Sequence, residues 1–157
     1  MCLEKNWPRG GEDWAAVGVL LNSGRVLLIK RVAREGDPWS GHVAFPGGRW
    51  KPGEDLLLTA VREVMEEVGV EPARLVGVLP PHSPRNAPWL KVVPFVFDQW
   101  RGEVAPNPAE VEEARWAARV DLKEGEWLGR PAFFFGGWVV WGLTYRVLKM
   151  LIDCGLL

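Results

Sequence analysis

The densest chemistry in this chain lies at residues 62–69, "REVMEEVG", where Glu63, Glu66 and Glu67 fall within five positions. Residues three and four apart share a helix face, where like charges repel by about 0.2–0.5 kcal/mol per pair. The run also ends at Gly69, a stop signal, so the acids crowd the negative pole of the helix dipole, where Lys or Arg is favoured. A helix built against its own electrostatics expects something positive. Hard divalent cations such as Mg²⁺ take oxygen ligands and are commonly shared between one or two carboxylates and the phosphates of a substrate. A cation among these glutamates removes both penalties at once.

The elements that would hold this cluster follow from periodicity and punctuation. A helix is predicted from about Asp55 to Val68, after Pro52 and Gly53 and before Gly69. At about 100° per residue, Leu57, Ala60, Val61, Val64 and Val68 form an apolar stripe, and the three glutamates lie to one side of it, bordering a surface. Upstream, "WAAVGVLLNSGRVLLIKRV" (14–32) reads as two apolar strands with a hairpin signal at Asn22, Ser23 and Gly24. The polar stretch "AREGDPWSGH" then leads to "VAFPGG", where the chain must turn at Pro46, Gly47 and Gly48. Downstream, "RLVGVLP" and "WLKVVPFVF" read as strands, with Pro94 demoting the second to an edge or bulged position. Between them lies a long loop, "PHSPRNAP". A loop and a short strand around Trp116 follow, and then a second amphipathic helix in "VVWGLTYRVLKMLIDC", with Trp141, Thr144, Val147, Leu148, Leu151 and Ile152 at helical spacing.

Whole-chain properties narrow the function classes. The 157 residues fit a single domain, residues 1–157, with one core. A formal net charge of −1 provides no basic field for a nucleic-acid polymer. Cys2 and Cys154, near the two termini, have neither the spacing of a disulfide framework nor that of a metal site. No apolar run approaches the roughly 20 residues of a membrane span, and Glu4, Glu12 and Asp13 stand where a signal peptide would be basic and apolar. The expectation is a soluble cytoplasmic protein with no membrane partner. The ten tryptophans read as core and rim packing.

Taken from Gly48, five residues lead to Glu54 and seven more to Arg62, followed by Glu63, Val64, Glu66, Glu67, Gly69 and Val70 at fixed spacing. This segment resembles the signature of the Nudix hydrolases at every defined position of residues 48–70. The "FPGG" turn before it and "EVEEARW" after it also match the family's layout. The resemblance implies an α/β fold, the Nudix-type α/β/α sandwich with a mixed β-sheet between helices. It implies an enzyme cleaving the diphosphate linkage of a nucleoside diphosphate joined to another moiety, with Mg²⁺ or Mn²⁺ as cofactor and water attacking one phosphorus. Carried over by position, Glu63, Glu66 and Glu67 are the metal-binding carboxylates, with the Gly47 carbonyl as a further ligand. Glu54 and Arg62 form an ion pair bracing the loop to the helix. The general base is Glu63, or a glutamate of a later loop, for which Glu110 is the candidate and Glu113 the alternative.

The substrate depends on other segments. "LLIKRV" with "GHVAFPGG", and "VVWGLTYRVL" near the C-terminus, resemble the coenzyme A diphosphatase branch, although Ile29, Val32 and Gly36 replace residues usual there. Coenzyme A is thus one candidate, with ADP-ribose and modified nucleoside triphosphates as alternatives, and a non-catalytic nucleotide sensor as a reading from another class. Arg31, Gly47 and Gly48 are the candidate substrate-binding residues, since a guanidinium fork suits phosphate. His42 and His82 are further contact candidates, and Phe133, Phe134 and Phe135 read as core. A homodimer is compatible with the tryptophan-rich composition.

Overall fold

The computed structural model describes residues 2–37 and 41–157. Pro38, Trp39 and Ser40, in the polar stretch before the "FPGG" turn, lie outside the described residues. In chain order the elements are β1 (Trp14–Asn22), β2 (Arg25–Arg31), β3 (Val43–Ala44), β4 (Gly47–Arg49), helix α1 (Leu56–Val68), β5 (Glu71–Val78), β6 (Lys91–Arg101), β7 (Val111–Ala118), β8 (Lys123–Trp127), β9 (Arg130–Phe135), β10 (Trp138–Val140) and helix α2 (Gly142–Asp153).

The hairpin forms where the sequence places it. Asn22 pairs with Arg25, and the two residues between them, Ser23 and Gly24, take positive φ (54° and 73°), which matches the twist of the flanking strands. Past the turn the two strands diverge. β1 runs parallel to β6 and antiparallel to β4, while β2 pairs with β3 and along its whole length with β7. β5 completes the seven-stranded mixed sheet against β6.

Side-chain alternation along these strands sends one set of residues to each helix. Ala16 and Leu20 of β1, Leu27 and Ile29 of β2, and Phe95 and Phe97 of β6 pack with Leu56, Ala60, Val64 and Val68 of α1. Val19 and Leu21, Val26 and Leu28, and Val96 pack instead with Val147, Leu148 and Leu151 of α2. The helices therefore cover opposite faces of the sheet, as the expected sandwich requires. Each such side chain, fully buried, contributes about 1.5–3 kcal/mol. Gly18, on the α1 side of β1, sets how close that helix can come: a Cβ there would lie 2.4 Å from Val64 Cγ2.

Several expectations need correction. Pro94 stands in the interior strand β6, between β1 and β5, and not at an edge. It is tolerated because β5 ends at Val78, so the next residue, Leu79, donates to the Pro94 carbonyl (3.0 Å) where the ladder runs out. The segment after residue 122, whose Gly-rich, charged sequence hides its alternation, forms a three-stranded antiparallel sheet in the order β10-β9-β8. Its Phe133 is buried in the α2-side core and Phe135 meets Trp138 edge-on, as packing residues do, but Phe134, also expected in the core, is exposed. The buried face of α1 includes Glu67, which is not on the open surface and meets solvent only at the base of a cleft. Finally, Cys2 and Cys154, whose spacing indicates no disulfide framework, are joined in a disulfide.

That disulfide staples an N-terminal arm to the end of α2. The arm is already paired to β5, with Glu4 and Val78 exchanging two backbone hydrogen bonds of 2.9 Å. No helix among the described residues is long and apolar enough to cross a membrane. A cross-link between residues 152 apart restricts the unfolded chain by about 5 kcal/mol in the loop-entropy model. Reduction should therefore lower Tm by about 10 °C or more in calorimetry. An unchanged Tm would show that the arm contributes nothing through this bond.

Candidate functional site

The site is assembled where β4 meets the C-terminal half of α1. Asp55 caps the helix, its side chain accepting from Leu58 N–H at 2.9 Å, and Gly69 ends it at φ 75°. β4 lies antiparallel to the start of β1, with Val17 opposite Gly47 and Ala16 opposite Gly48. Both glycines are needed for contact. A Cβ at Gly47 would come 2.4 Å from the Ala16 carbonyl oxygen, and one at Gly48 would come 2.5 Å from Glu63 Cδ. The Gly47 N–H donates to Glu67 Oε2 at 3.0 Å, so the structure joins this residue to the glutamates through its amide.

Arg62 organises the acids around it. Its Nε and Nη2 bind the two oxygens of Glu54 at 2.6 and 3.0 Å, the bidentate pair expected from the sequence. Nη2 also donates to the Arg49 carbonyl (3.1 Å), and Nη1 reaches Glu63 Oε1 (2.7 Å) and Glu66 Oε2 (3.4 Å). These bonds hold the Arg62 guanidinium firmly protonated and keep Glu54 well below the usual carboxylate range. One guanidinium thus offsets much of the repulsion on the exposed side of the helix. Lys could not replace it, since an ammonium lacks the planar fork.

Glu67 lies beyond that compensation. It is 2% exposed, and burial together with the adjacent Glu63 carboxylate pushes it up to about 9, against the opposing pull of Arg31 and the Gly47 amide. The helix carbonyls behind it are satisfied from the loop after β6. Asn107 N–H donates to the Glu67 carbonyl (2.9 Å), the Asn107 side chain reaches the Glu66 carbonyl (3.4 Å), and Ala105 N–H reaches Val68 (2.8 Å). Asn107 was missed from the sequence; its only signal is the "NP" turn dipeptide.

Above the carboxylates opens a cleft of about 330 Å³, lined by Arg31, Gly48, Lys51, Glu63, Glu67 and Glu110 among others. A register shift between Lys30 and Arg31 against β7 re-aims Arg31 at the end of β2. Its Nη2 contacts Asp37 at 3.3 Å, and its Nε is buried without a hydrogen-bond partner among the described residues. Glu110 is carried to the rim by Asn107, whose carbonyl receives the Glu110 N–H (3.0 Å), and by its own carbonyl, which accepts from Val32 N–H (3.0 Å). Glu113 is turned to Arg115 at 2.6 Å, and Glu112 faces Lys30 at 3.8 Å, both away from the cleft. His42 stacks edge-on against Trp141 (4.9 Å), and His82 lies in a different groove beside α2.

The donor set of the cleft is all hard oxygen. Among the described residues, no three His, Cys, Asp or Glu side chains stand grouped as they would around a bound ion, because Glu63 and Glu66 each lean one oxygen on Arg62. Each keeps a second oxygen that Arg62 does not bind. A buried carboxylate held against a second one needs either a proton or a cation, so the residues fit a divalent metal.

Over residues 12–134 the chain matches the family model described as NUDIX domain. It is 34% identical over 146 residues to the chloroplastic Nudix hydrolase 22 of Arabidopsis thaliana, covering 79% of this chain and 47% of that protein. It is 30% identical to a mitochondrial coenzyme A diphosphatase of Mus musculus, covering 81% of this chain and 69% of the relative. The chain thus spans about half the length of the plant relative. The crystal structure of a MutT/nudix family protein from Enterococcus faecalis, 16% identical, superposes with a TM-score of 0.62 over 96% of this chain and 66% of that one, a likeness of fold.

The raised pKa of Glu67 has a consequence for stability. The folded chain keeps a proton that the unfolded chain releases near 4.5, so without divalent cations stability should fall as pH rises from about 4.5 to about 9. Urea melts in EDTA at several pH values should show this decline, and a flatter profile for Glu67→Gln. Parallel profiles would mean that Glu67 is ionised throughout.

Proposed function

The chain belongs to the Nudix hydrolase family, and from that premise we propose that it hydrolyses the diphosphate linkage of a nucleoside diphosphate joined to another moiety. The observation that carries this reading is the buried Glu67 against Glu63, held over Gly47 and Gly48 at the base of a cleft that Arg31 also lines. Members of the family generally use divalent metal ions. Here Glu63, Glu66 and Glu67, with the Gly47 carbonyl, would hold Mg²⁺ or Mn²⁺. Such an ion neutralises charge on phosphoryl oxygens and makes water more acidic.

The chain's own groups do the rest. Arg31 has a desolvated Nε with no acceptor among the described residues, a donor for a non-bridging phosphate oxygen, and its planar fork would orient the diphosphate. Gly48 leaves room for substrate beside Glu63, where any side chain would intrude. Glu110 lines the same cleft as Glu63 and Glu67 and takes the proton from the attacking water as general base. Arg62 and Glu54 keep the loop and helix in register, a positioning role.

Coenzyme A is the proposed substrate. It is supported by the sequence around "LLIKRV" and "GHVAFPGG" and by the mouse relative named as a coenzyme A diphosphatase. The test is a Mg²⁺-dependent screen of coenzyme A, ADP-ribose, NADH and nucleoside triphosphates with products identified. Release of 3′,5′-ADP from coenzyme A is the expected outcome. Glu67→Gln should reduce turnover to background with the fold retained, and Glu110→Gln should lower kcat by about 100-fold or more. Turnover of ADP-ribose alone would reassign the substrate, and full activity in Glu67→Gln would overturn the metal assignment.

A further inference from the structure

A row of aromatic rings starts beside Arg31. The Arg31 N–H donates to the His42 carbonyl at 3.0 Å, one step past the pairs Ile29–Ala44 and Lys30–Val43 in the ladder of β2 with β3. In that antiparallel register Arg31 and His42 stand opposite each other, where side chains share a face with Cβ atoms roughly 5 Å apart. From His42 the row continues through two indoles. The His42 and Trp141 ring centroids lie 4.9 Å apart with planes at 68°, and those of Trp141 and Trp127 lie 5.3 Å apart at 39°. Three segments meet to build it: the residue before β3, the residue between β10 and α2, and the last residue of β8.

Core packing does not account for this row. Trp138 is buried in the α2-side core, and Trp7, Trp14, Trp50, Trp100 and Trp116 pack against the α1-side core, whereas Trp127 and Trp141 join neither. All three rings of the row are partly exposed. Among the described residues none of their side-chain nitrogens makes a hydrogen bond, and none is sealed from solvent. An indole ordinarily buries its face in a core and finds a partner for its N–H. Here two indoles and an imidazole keep ring surface and N–H groups available next to the strand partner of Arg31, which lines the cleft.

We propose that this row receives the nucleobase of the substrate, stacked on Trp141 and flanked by His42 and Trp127. The inference rests on the diphosphatase reading in one respect, that the diphosphate lies on Arg31. A nucleobase is one sugar away from its phosphates, and His42 is the direct neighbour of Arg31 across the strands. Every base has a π-face that stacks on aromatic side chains, and the unused N–H groups match acceptors on the edge of a base. The aliphatic arm of a substrate such as coenzyme A has no flat face to offer, so the row orients the substrate by its nucleoside end.

The probes are α,β-methylene-ADP, whose bridging carbon resists hydrolysis, and methylenediphosphonate, which lacks the nucleoside. Each is titrated by calorimetry into the full chain with Mg²⁺. Trp141→Ala should weaken the nucleotide about tenfold and leave methylenediphosphonate unchanged, which also shows that the variant is folded. Trp141→Phe should keep most of the affinity. Trp127→Ala, in a different segment, should likewise weaken the nucleotide alone, and Arg31→Gln should weaken both probes. No binding of the nucleotide to wild type, equal losses for both probes in both tryptophan variants, or an unaltered nucleotide affinity in both, overturns the proposal. The activity is judged separately. If no substrate is hydrolysed but the variants still separate the two probes, the diphosphatase reading fails and the row stands; if substrates are hydrolysed with KM unmoved by Trp141→Ala, the row fails and the activity stands.

Discussion

The constraint on which the site depends is a carboxylate inside the protein. Glu67 lies on the same face of α1 as Ala60, Val64 and Val68, so the packing that seats the helix also buries the acid. A lone buried carboxylate is strongly disfavoured, and this one is placed beside a second, Glu63. The surrounding architecture moderates the conflict without removing it. The Gly47 amide donates to one oxygen, and Arg31 contributes a positive field from the cleft. Arg62 is already engaged by Glu54, Glu63 and Glu66. What is left is an incompletely compensated pair of carboxylates that a compact positive charge would balance.

Several features of the fold serve that arrangement. Gly18 lets α1 approach β1, and Gly47 and Gly48 let β4 slide beneath the glutamates. The parallel pairing of β1 with β6 brings the loop after β6 to the helix end, where Asn107 satisfies the last carbonyls and presents Glu110 at the rim. The α2 side of the sheet carries none of this machinery. A separate groove lies there, lined by His82, Tyr145, Arg146 and Lys149 among others.

Much of this was legible in the sequence, and the failures share a cause. The two-residue turn at Ser23 and Gly24 and the helix ending at Gly69 are local, and local chemistry specifies them, whereas the Glu54–Arg62 pair was implied by the family resemblance. Periodicity placed the glutamates on one side of the helix but could not give depth, which is set by how closely β4 and β1 approach; hence the burial of Glu67 at the base of the cleft was not legible. Pro94 broke the edge-strand rule because its neighbour ends there, a fact of strand length in another segment. Cys2 and Cys154 are at opposite ends of the chain and adjacent in space, which no spacing rule detects. Asn107 acts through carbonyls forty positions away and leaves almost no trace in its own neighbourhood.

We propose that the acidic face of α1 is completed by a divalent cation, with Glu67 as the ligand whose burial makes it necessary. Mn²⁺ binding followed by electron paramagnetic resonance at neutral pH addresses it directly, independent of any substrate. Wild type should bind the ion, and Glu67→Gln, which keeps the shape and an acceptor for Gly47 but not the charge, should bind it at least tenfold more weakly. Equal Mn²⁺ affinity in the two proteins would contradict the account.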